Sequence, residues 1–383
     1  MGARETLLTL VRTPWRQLSR FKDHRRKKRT HRRVTNLGAL PQREYSRTVA
    51  SRRVVEPSGV IVARQQGDGF VQQFSTSERY LSLLEGTKVF AHYGLIMTHR
   101  GHLLEDSVAE RSILTKRIEK GRLSEPFDTI ALDRPTYSLS VNPNYYHFWH
   151  DTLPPLLLLH EPEVEALGEI FVTFTRDLSP WRRQVIEAAI PPWATLRRVD
   201  ERSLVASPLT VFPSPYRSKA FSPAIIEHLD SCGRALAPDR PRSTSTPPSQ
   251  RSASRDRLFI SRRHAKWRRA LNEEALTREL RDRGFDVIHA EALAQAEQIR
   301  RFQGAEMVIG QHGAGLTNLL FAPPETKVLE LHSGDPGSAE SHYQALAASR
   351  GQRHTAIGGN AANANSDVEL PIAAVLDWID SQS

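Results

Sequence analysis

The chain has 383 residues and a formal net charge of +10, which gives length for two domains with cores of their own. The charge is local: residues 1–33 hold twelve Lys and Arg against Glu5 and Asp23, and the remaining 350 residues balance at 41 basic and 41 acidic side chains. A neutral body without a base-reading motif argues against a nucleic-acid binder. Cys232 is the single cysteine, so no intrachain disulfide exists, and the longest apolar run, 153–159, contains two prolines and falls short of the roughly 20 residues a membrane-spanning helix needs.

Residues 1–34 form a basic leader with two readings. Leu7, Val11, Trp15 and Leu18 recur at helical spacing among Arg4, Arg12, Arg16 and Arg20, and "RRKKR" follows; this pattern suits a helix lying on an anionic membrane surface. Pro14 interrupts it, and a solvated, disordered run of charge is the other reading. Neither a signal-peptide core nor paired cysteines are present, and the expected location is cytoplasmic, peripheral at the inner face of the membrane.

Residues 35–236 read as a first α/β unit, with a hairpin or two short strands in 88–104, a strand at 169–174, a helix at 179–190, a strand at 209–213 and a helix at 222–236. Residues 237–256, built of Ser, Thr, Pro and Arg, cannot bury apolar surface and read as a linker. From 257 the alternation is regular. Strands are expected at 257–261, 285–289, 306–310 and 327–331. Helices are expected at 272–284 (Asn272 as cap, Gly284 as stop), 293–305, 315–321 and 338–351. Strands joined by helices over short connections imply a parallel sheet covered on both faces.

The sharpest local signal is "EMVIGQHGAGLTNLLFAPPETKVLEL", a strand running into Gly313-Ala314-Gly315 and then a helix. Small residues let a ligand approach the backbone, and the free N–H groups at a helix start favour a phosphate. The plain alternative is a tight turn with no ligand. A dinucleotide fingerprint asks for a small residue where Asn318 stands, and an acid about twenty residues on; Glu330 follows Gly313 by seventeen. Arg262, Arg263, Lys266, Arg268 and Arg269 follow the first strand of the same unit. In a parallel sheet that loop and the glycine turn line one crevice.

The second signal is "NYYHFWHD", residues 144–151. On a helix His147 and Asp151 share a face, with His150 beside them. Tyr145, Tyr146 and Trp149 either stack on sugar rings or fill the core. Pro154 and Pro155 require any helix here to be short or restarted. A zinc-protease pattern would need glutamate where Phe148 stands, and a His-Asp phosphohydrolase would need an all-helical fold.

Three segments together, "NYYHFWHDTLPPLLLL", "FISRRHAKWRRALNEEAL" and "GAEMVIGQHGAGLTNLLFAPPETKVLEL", resemble glycosyltransferase family 61, inverting sugar transferases of the GT-B architecture. The resemblance runs from about residue 88 to the C-terminus, is densest over 257–331, and leaves out the leader. It implies an α/β fold of two Rossmann-like domains facing a central cleft. The C-terminal domain, 257–383, would hold a nucleotide-sugar co-substrate, with no metal and no further cofactor. The N-terminal domain, 35–236, would offer the base and a glycan or lipid-linked acceptor, in an inverting transfer that serves cell-surface or capsular polysaccharide synthesis. The implied catalytic residues are Asp151 and His147, with Asp151 taken as base and His147 as its neighbour. The implied donor-binding residues are Arg262, Arg269, His312, Gly313, Ala314, Gly315, Asn318 and Glu330. A catalytically inactive nucleotide- or glycan-binding protein of the same fold is the alternative.

Overall fold

The computed structural model describes residues 34–64, 71–108, 127–238, 256–334, 342–363 and 367–382; the leader and residues 239–255 of the linker lie outside them. One six-stranded sheet of the first half takes strands Val49–Glu56 (β1), Arg79–Leu84 (β2), Thr136–Ser138 (β3), Ile170–Phe174 (β4), Ala194–Arg198 (β5) and Thr210–Pro213 (β6), in the order β5-β4-β3-β6-β2-β1. The first four in that order run parallel, while β2 is antiparallel to both β6 and β1. A second six-stranded sheet contains the expected 88–104 hairpin, extended to three strands: Lys88–Phe90, Leu95–Met97 and Leu103–Leu104. Helices Pro180–Ala189 (α1) and Pro223–Leu236 (α2) pack on each other. The first half is therefore α/β but more mixed than a plain strand–helix alternation. Several of its unexpected strands are short and carry Ser, Thr or Arg, as in Ala194–Arg198 and Ser203–Ala206, so no apolar period announces them.

The second half follows the expected pattern as far as residue 351; the two strands and the helix beyond it were not expected. Its strands are Asp256–Ile260 (β7), Phe285–Ile288 (β8), Ala305–Gln311 (β9), Lys327–Ser333 (β10), Arg353–Ala361 (β11) and Val368–Glu369 (β12), in the order β8-β7-β9-β10-β11-β12. All pairs are parallel except β11–β12. This is a doubly wound order whose ligand crevice lies at the carboxyl ends of β7 and β9, where the chain switches direction across the sheet. Both faces are covered. Leu258, Ile260, Val308 and Val328 enter one cluster, and Phe259, Met307, Ile309, Leu329 and Leu331 enter the other. That is why the strands read as unbroken apolar runs. The helices are Glu273–Asp282 (α3), Gln295–Gln303 (α4), His342–Arg350 (α5) and Ile372–Asp380 (α6). Gly284 and Gly351 end α3 and α5 with positive φ, 78° and 73°. Asn272 stands at the start of α3 but does not cap it; its amide is held by both backbone groups of Leu370, at 2.8 and 2.9 Å.

One buried cluster runs through both halves. It joins Phe148, Trp149, Leu153, Ile225 and Leu229 of the first to Ile260, Leu316, Leu320, Phe321 and Leu346 of the second. Helix α2 approaches closely enough that a Cβ on Gly233 would overlap the Phe321 ring.

Candidate active site

Residues 145–160 form three successive short turns rather than one helix. Asn144 accepts a hydrogen bond from the His147 N–H at 3.3 Å and starts an α-turn, Tyr145–His147. A π-turn, Phe148–Thr152, and a 3₁₀ helix, Pro154–His160, follow. Pro154 and Pro155 have no N–H to return to the carbonyls of His150 and Asp151, so regular α-helical bonding cannot persist there. The widened turn brings two imidazoles onto one carboxylate. His147 Nδ1 lies 2.8 Å from Asp151 Oδ2, and His150 Nδ1 lies 2.6 Å from Asp151 Oδ1. π-turns of this kind recur at functional sites.

Burial raises the Asp151 carboxyl pKa, but the hydrogen bonds from His147 and His150, with the charges of both rings, outweigh it and leave the group below its ordinary value. Asp151 is thus an ionised acceptor, and both imidazoles donate to it through Nδ1–H. His150 is buried, with its Nε2 lacking a partner among the described residues, whereas the His147 side chain is 42% exposed. His147 is thus partly exposed and oriented by Asp151, and an imidazole held in this way can act as a base.

The aromatic residues of the same stretch turn away from solvent and hold the two halves together. The Tyr145 hydroxyl donates to Asn318 Oδ1 at 2.7 Å and accepts from Gln295 Nε2 at 2.5 Å. Trp149 meets Phe321 edge-on with centroids 5.0 Å apart. Tyr146 stacks on His150 at 4.8 Å and touches Tyr343 at 5.7 Å, and Tyr343 touches His312 at 5.2 Å. A continuous series of rings connects the His147–Asp151 pair to the glycine turn.

At that turn Gly313 is extended, and the 3₁₀ helix Ala314–Phe321 follows. The Leu316 N–H is the first to bond back, to Gly313 O at 3.0 Å, which leaves the N–H groups of Gly313, Ala314 and Gly315 outside the helical ladder. A Cβ on Gly313 would overlap the Arg262 guanidinium, and one on Gly315 would press on Ile260 at 3.0 Å. Arg262 is itself held by the Trp267 carbonyl at 3.0 Å. Burial, together with the nearby charge of Arg268, pushes its pKa down. Arg268 adopts φ 56°, a left-handed conformation that costs a non-glycine residue about 1–2 kcal/mol. The Arg262 guanidinium beside these backbone N–H groups, with the charge of Arg268 nearby, is an arrangement suited to an anion such as a diphosphate.

Three of the expected donor-side residues have other duties. Arg269 points to Asp367, with its Nη2 2.8 Å from Oδ2 and its backbone N–H 2.9 Å from Oδ1; Arg268 is the arginine that faces Arg262. Asn318 is fully buried, and its amide nitrogen is spent on Gln298 Oε1 at 3.0 Å and Gly315 O at 3.2 Å. Glu330 is also buried. Its oxygens lie 2.6 Å from His312 Nδ1 and 2.8 Å from His354 Nε2, with His332 Nε2 at 3.4 Å. Desolvation would raise the Glu330 carboxyl, but the hydrogen bonds from these three histidines hold it well below the carboxylate range. It cannot reach a sugar hydroxyl; it fixes the ring of His312, whose Nε2 remains for a ligand. His312, Glu330 and His332 also lie within 4.8 Å of one another and could hold a metal ion, at the expense of those hydrogen bonds. Tyr343, His332 and His354 escaped the sequence reading because each draws its meaning from partners on other elements or other turns.

A glycine turn beside Arg262 at the carboxyl ends of a parallel sheet, connected through aromatic rings to a histidine–aspartate pair, is an arrangement suited to group transfer. The glycosyltransferase 61 family model matches residues 145–329, from the His147 turn to the strand that carries Glu330, and this part of the chain is similar to that family. It is 62% identical over 37 residues to beta-1,2-xylosyltransferase RCN11 of Oryza sativa subsp. japonica, a match covering 10% of this chain and 7% of the relative. It is 26% identical over 244 residues to the EGF domain-specific O-linked N-acetylglucosamine transferase of Drosophila melanogaster, covering 59% of this chain and 45% of the relative. The chain thus spans less than half the length of either relative.

Proposed function

We propose that this protein transfers a sugar from a nucleotide-sugar donor to a glycan or lipid-linked acceptor with inversion. The observation that carries the reading is the pairing of His147 with an ionised Asp151, joined through Tyr146 and Tyr343 to the His312–Gly315 turn. In one displacement the acceptor hydroxyl loses its proton to His147 Nε2 as it attacks the anomeric carbon, and the bond to the diphosphate breaks on the opposite side. Asp151 stabilises the imidazolium that forms. This reverses the roles expected from sequence, because both Asp151 oxygens are already engaged. Arg262, Arg268 and the N–H groups of Gly313 to Gly315 take the charge of the departing diphosphate, and His312 Nε2 hydrogen-bonds the donor.

The strand order of the second half supports the GT-B arrangement of two Rossmann-like domains across a cleft. Charge supplied by two arginines and backbone donors supports transfer without a metal. The named relatives are transferases of different sugars, xylose and N-acetylglucosamine, so the donor sugar does not carry over. Synthesis of a cell-surface or capsular polysaccharide at the cytoplasmic face of the membrane completes the reading. Thermal-shift titration of the full chain with nucleoside diphosphates and nucleotide-sugars, in EDTA and in Mg²⁺, tests it. A nucleoside diphosphate stabilises the chain in EDTA, Arg262→Ala abolishes the response, and Asp151→Asn keeps it. A chain indifferent to every nucleotide would refute the donor site.

A further inference from the structure

Two adjoining cavities open beside Asp151 in the first half. The inner one, about 170 Å³, is lined by Asp151, Thr152, His92 and Asn142, and the outer one, about 580 Å³, by Arg182, Arg198, Asp200 and Glu201. Arg176 lines both, two residues beyond the carboxyl end of the parallel strand β4.

The other charges around these cavities are engaged. Asp177 pairs with Arg198 at 3.0 Å, Asp200 accepts from the Arg202 N–H at 2.8 Å, and Glu201 lies 3.5 Å from His92 Nδ1. Arg182 donates through Nη2 to the Pro143 carbonyl at 2.6 Å and lies over the Phe148 ring, while its buried Nε has no partner among the described residues. Arg176 is half-buried, and no carboxylate pairs with it among the described residues. Its guanidinium, with five N–H donors, borders both cavities, and Asp151 lines the inner one.

We propose that Arg176, assisted by Arg182, is an anion subsite that selects an acceptor sugar bearing a carboxylate or phosphate. This deepens the transferase reading and rests on it. The inner cavity, which Asp151 lines, seats the attacking hydroxyl, and the acidic substituent extends to Arg176. A guanidinium that meets a planar anion in partly desolvated space gains paired, charge-assisted hydrogen bonds that a neutral sugar cannot supply.

The test uses the full-length chain and saturation-transfer NMR titrations with D-glucuronate, D-glucose 6-phosphate and D-glucose. At least one anionic sugar saturates at a concentration about tenfold below glucose. The preference disappears in Arg176→Gln and survives in Arg262→Ala, which separates this subsite from the diphosphate site. Preference for glucuronate alone identifies a uronic-acid type of acceptor; preference for the phosphate ester alone identifies a phosphorylated one. Equal saturation by all three sugars, no binding of the anionic ones, or a preference that persists in Arg176→Gln overturns the proposal. Arg176→Lys, which keeps the charge, restores part of the preference if Arg176→Gln folds poorly. A chain that binds a nucleoside diphosphate without anion preference loses this subsite alone. One with the preference and no nucleotide response loses the donor site instead.

Discussion

The Tyr145 hydroxyl and the Asn318 side-chain oxygen, 173 residues apart in sequence, meet at 2.7 Å in a buried network that Gln295 and Gln298 complete. The bond ties the turn that carries His147 to the turn that carries Gly313. Tyr145→Phe removes the hydroxyl and strands both the Asn318 oxygen and the Gln295 amide, so stability should fall by about 1–3 kcal/mol. Urea denaturation measures this, and a double-mutant cycle with Asn318→Ala should show strong coupling. Additive losses would mean that the contact contributes little.

His147 and Asp151 act as a unit in the proposed chemistry. His147→Ala and Asp151→Asn should each lower turnover by about 10²–10⁴-fold, and the double variant should be little worse than either single one. The affinity for nucleotide should stay within a few-fold of the parent. Steady-state kinetics with separate donor and acceptor titrations reads both quantities. Full activity in His147→Ala would reassign the base.

Gly313 gives the Arg262 guanidinium its room. Gly313→Ala should displace that side chain and weaken nucleoside diphosphate binding by about tenfold, since one charge-assisted contact is lost. The melting temperature without nucleotide should change little. Calorimetric titration of the variant decides the matter; unchanged affinity would place the diphosphate elsewhere.

Gly233 faces the Phe321 ring across the two halves with no room for a methyl group. Gly233→Ala should overpack this contact and cost about 1–3 kcal/mol, despite the better helix propensity of alanine. A stabilised variant in urea denaturation would show that α2 can shift freely against the second half.

His228 lies in α2, buried beside His160. Burial, together with the charges of His160 and Arg79, pushes its pKa down to about 4 from 6.5. The unfolded chain therefore takes up a proton near pH 6.5 that the folded chain refuses until about pH 4. Stability is full above that window and falls as the pH drops through it, by on the order of 3 kcal/mol. His228→Asn should flatten the pH dependence of the denaturation midpoint between pH 7 and 4.5. A slope equal to the parent's would assign the acid sensitivity to other groups.

Residues 257–351 were nearly transparent in sequence because the central strands there are buried on both faces and α3, α4 and α5 are each followed by a glycine, whereas the partly exposed strand Arg353–Ala361 offered no apolar run and went unread. The Gly313 turn was legible for the same reason: its small residues sit between two unmistakable elements. The first half was not. Strands such as Ser203–Ala206 and Ala194–Arg198 are too short for a period of two to register. At the site, the motif "NYYHFWHD" announced its importance but not its division of labour. His147 and Asp151 meet as their spacing suggested, yet Tyr145 and Trp149 serve the contact between halves. Glu330 looked like a ligand-binding acid because sequence carries no record of burial; three histidines from separate segments close over it. Arg268 and Arg269 are adjacent letters, and only the partner Asp367 tells them apart.

The core that runs from Trp149 to Phe321 has a consequence for anyone recombining this protein. In the chain the natural place to cut is the polar stretch 239–255, but in space the first half reaches well past it. A C-terminal piece expressed by itself would lose the cover of Phe148, Trp149, Ile225 and Leu229, and a hybrid made with a foreign N-terminal half would have to refit every one of those contacts. The two halves share one core, and swapping one of them for a relative's half should yield aggregates before it yields new sugars.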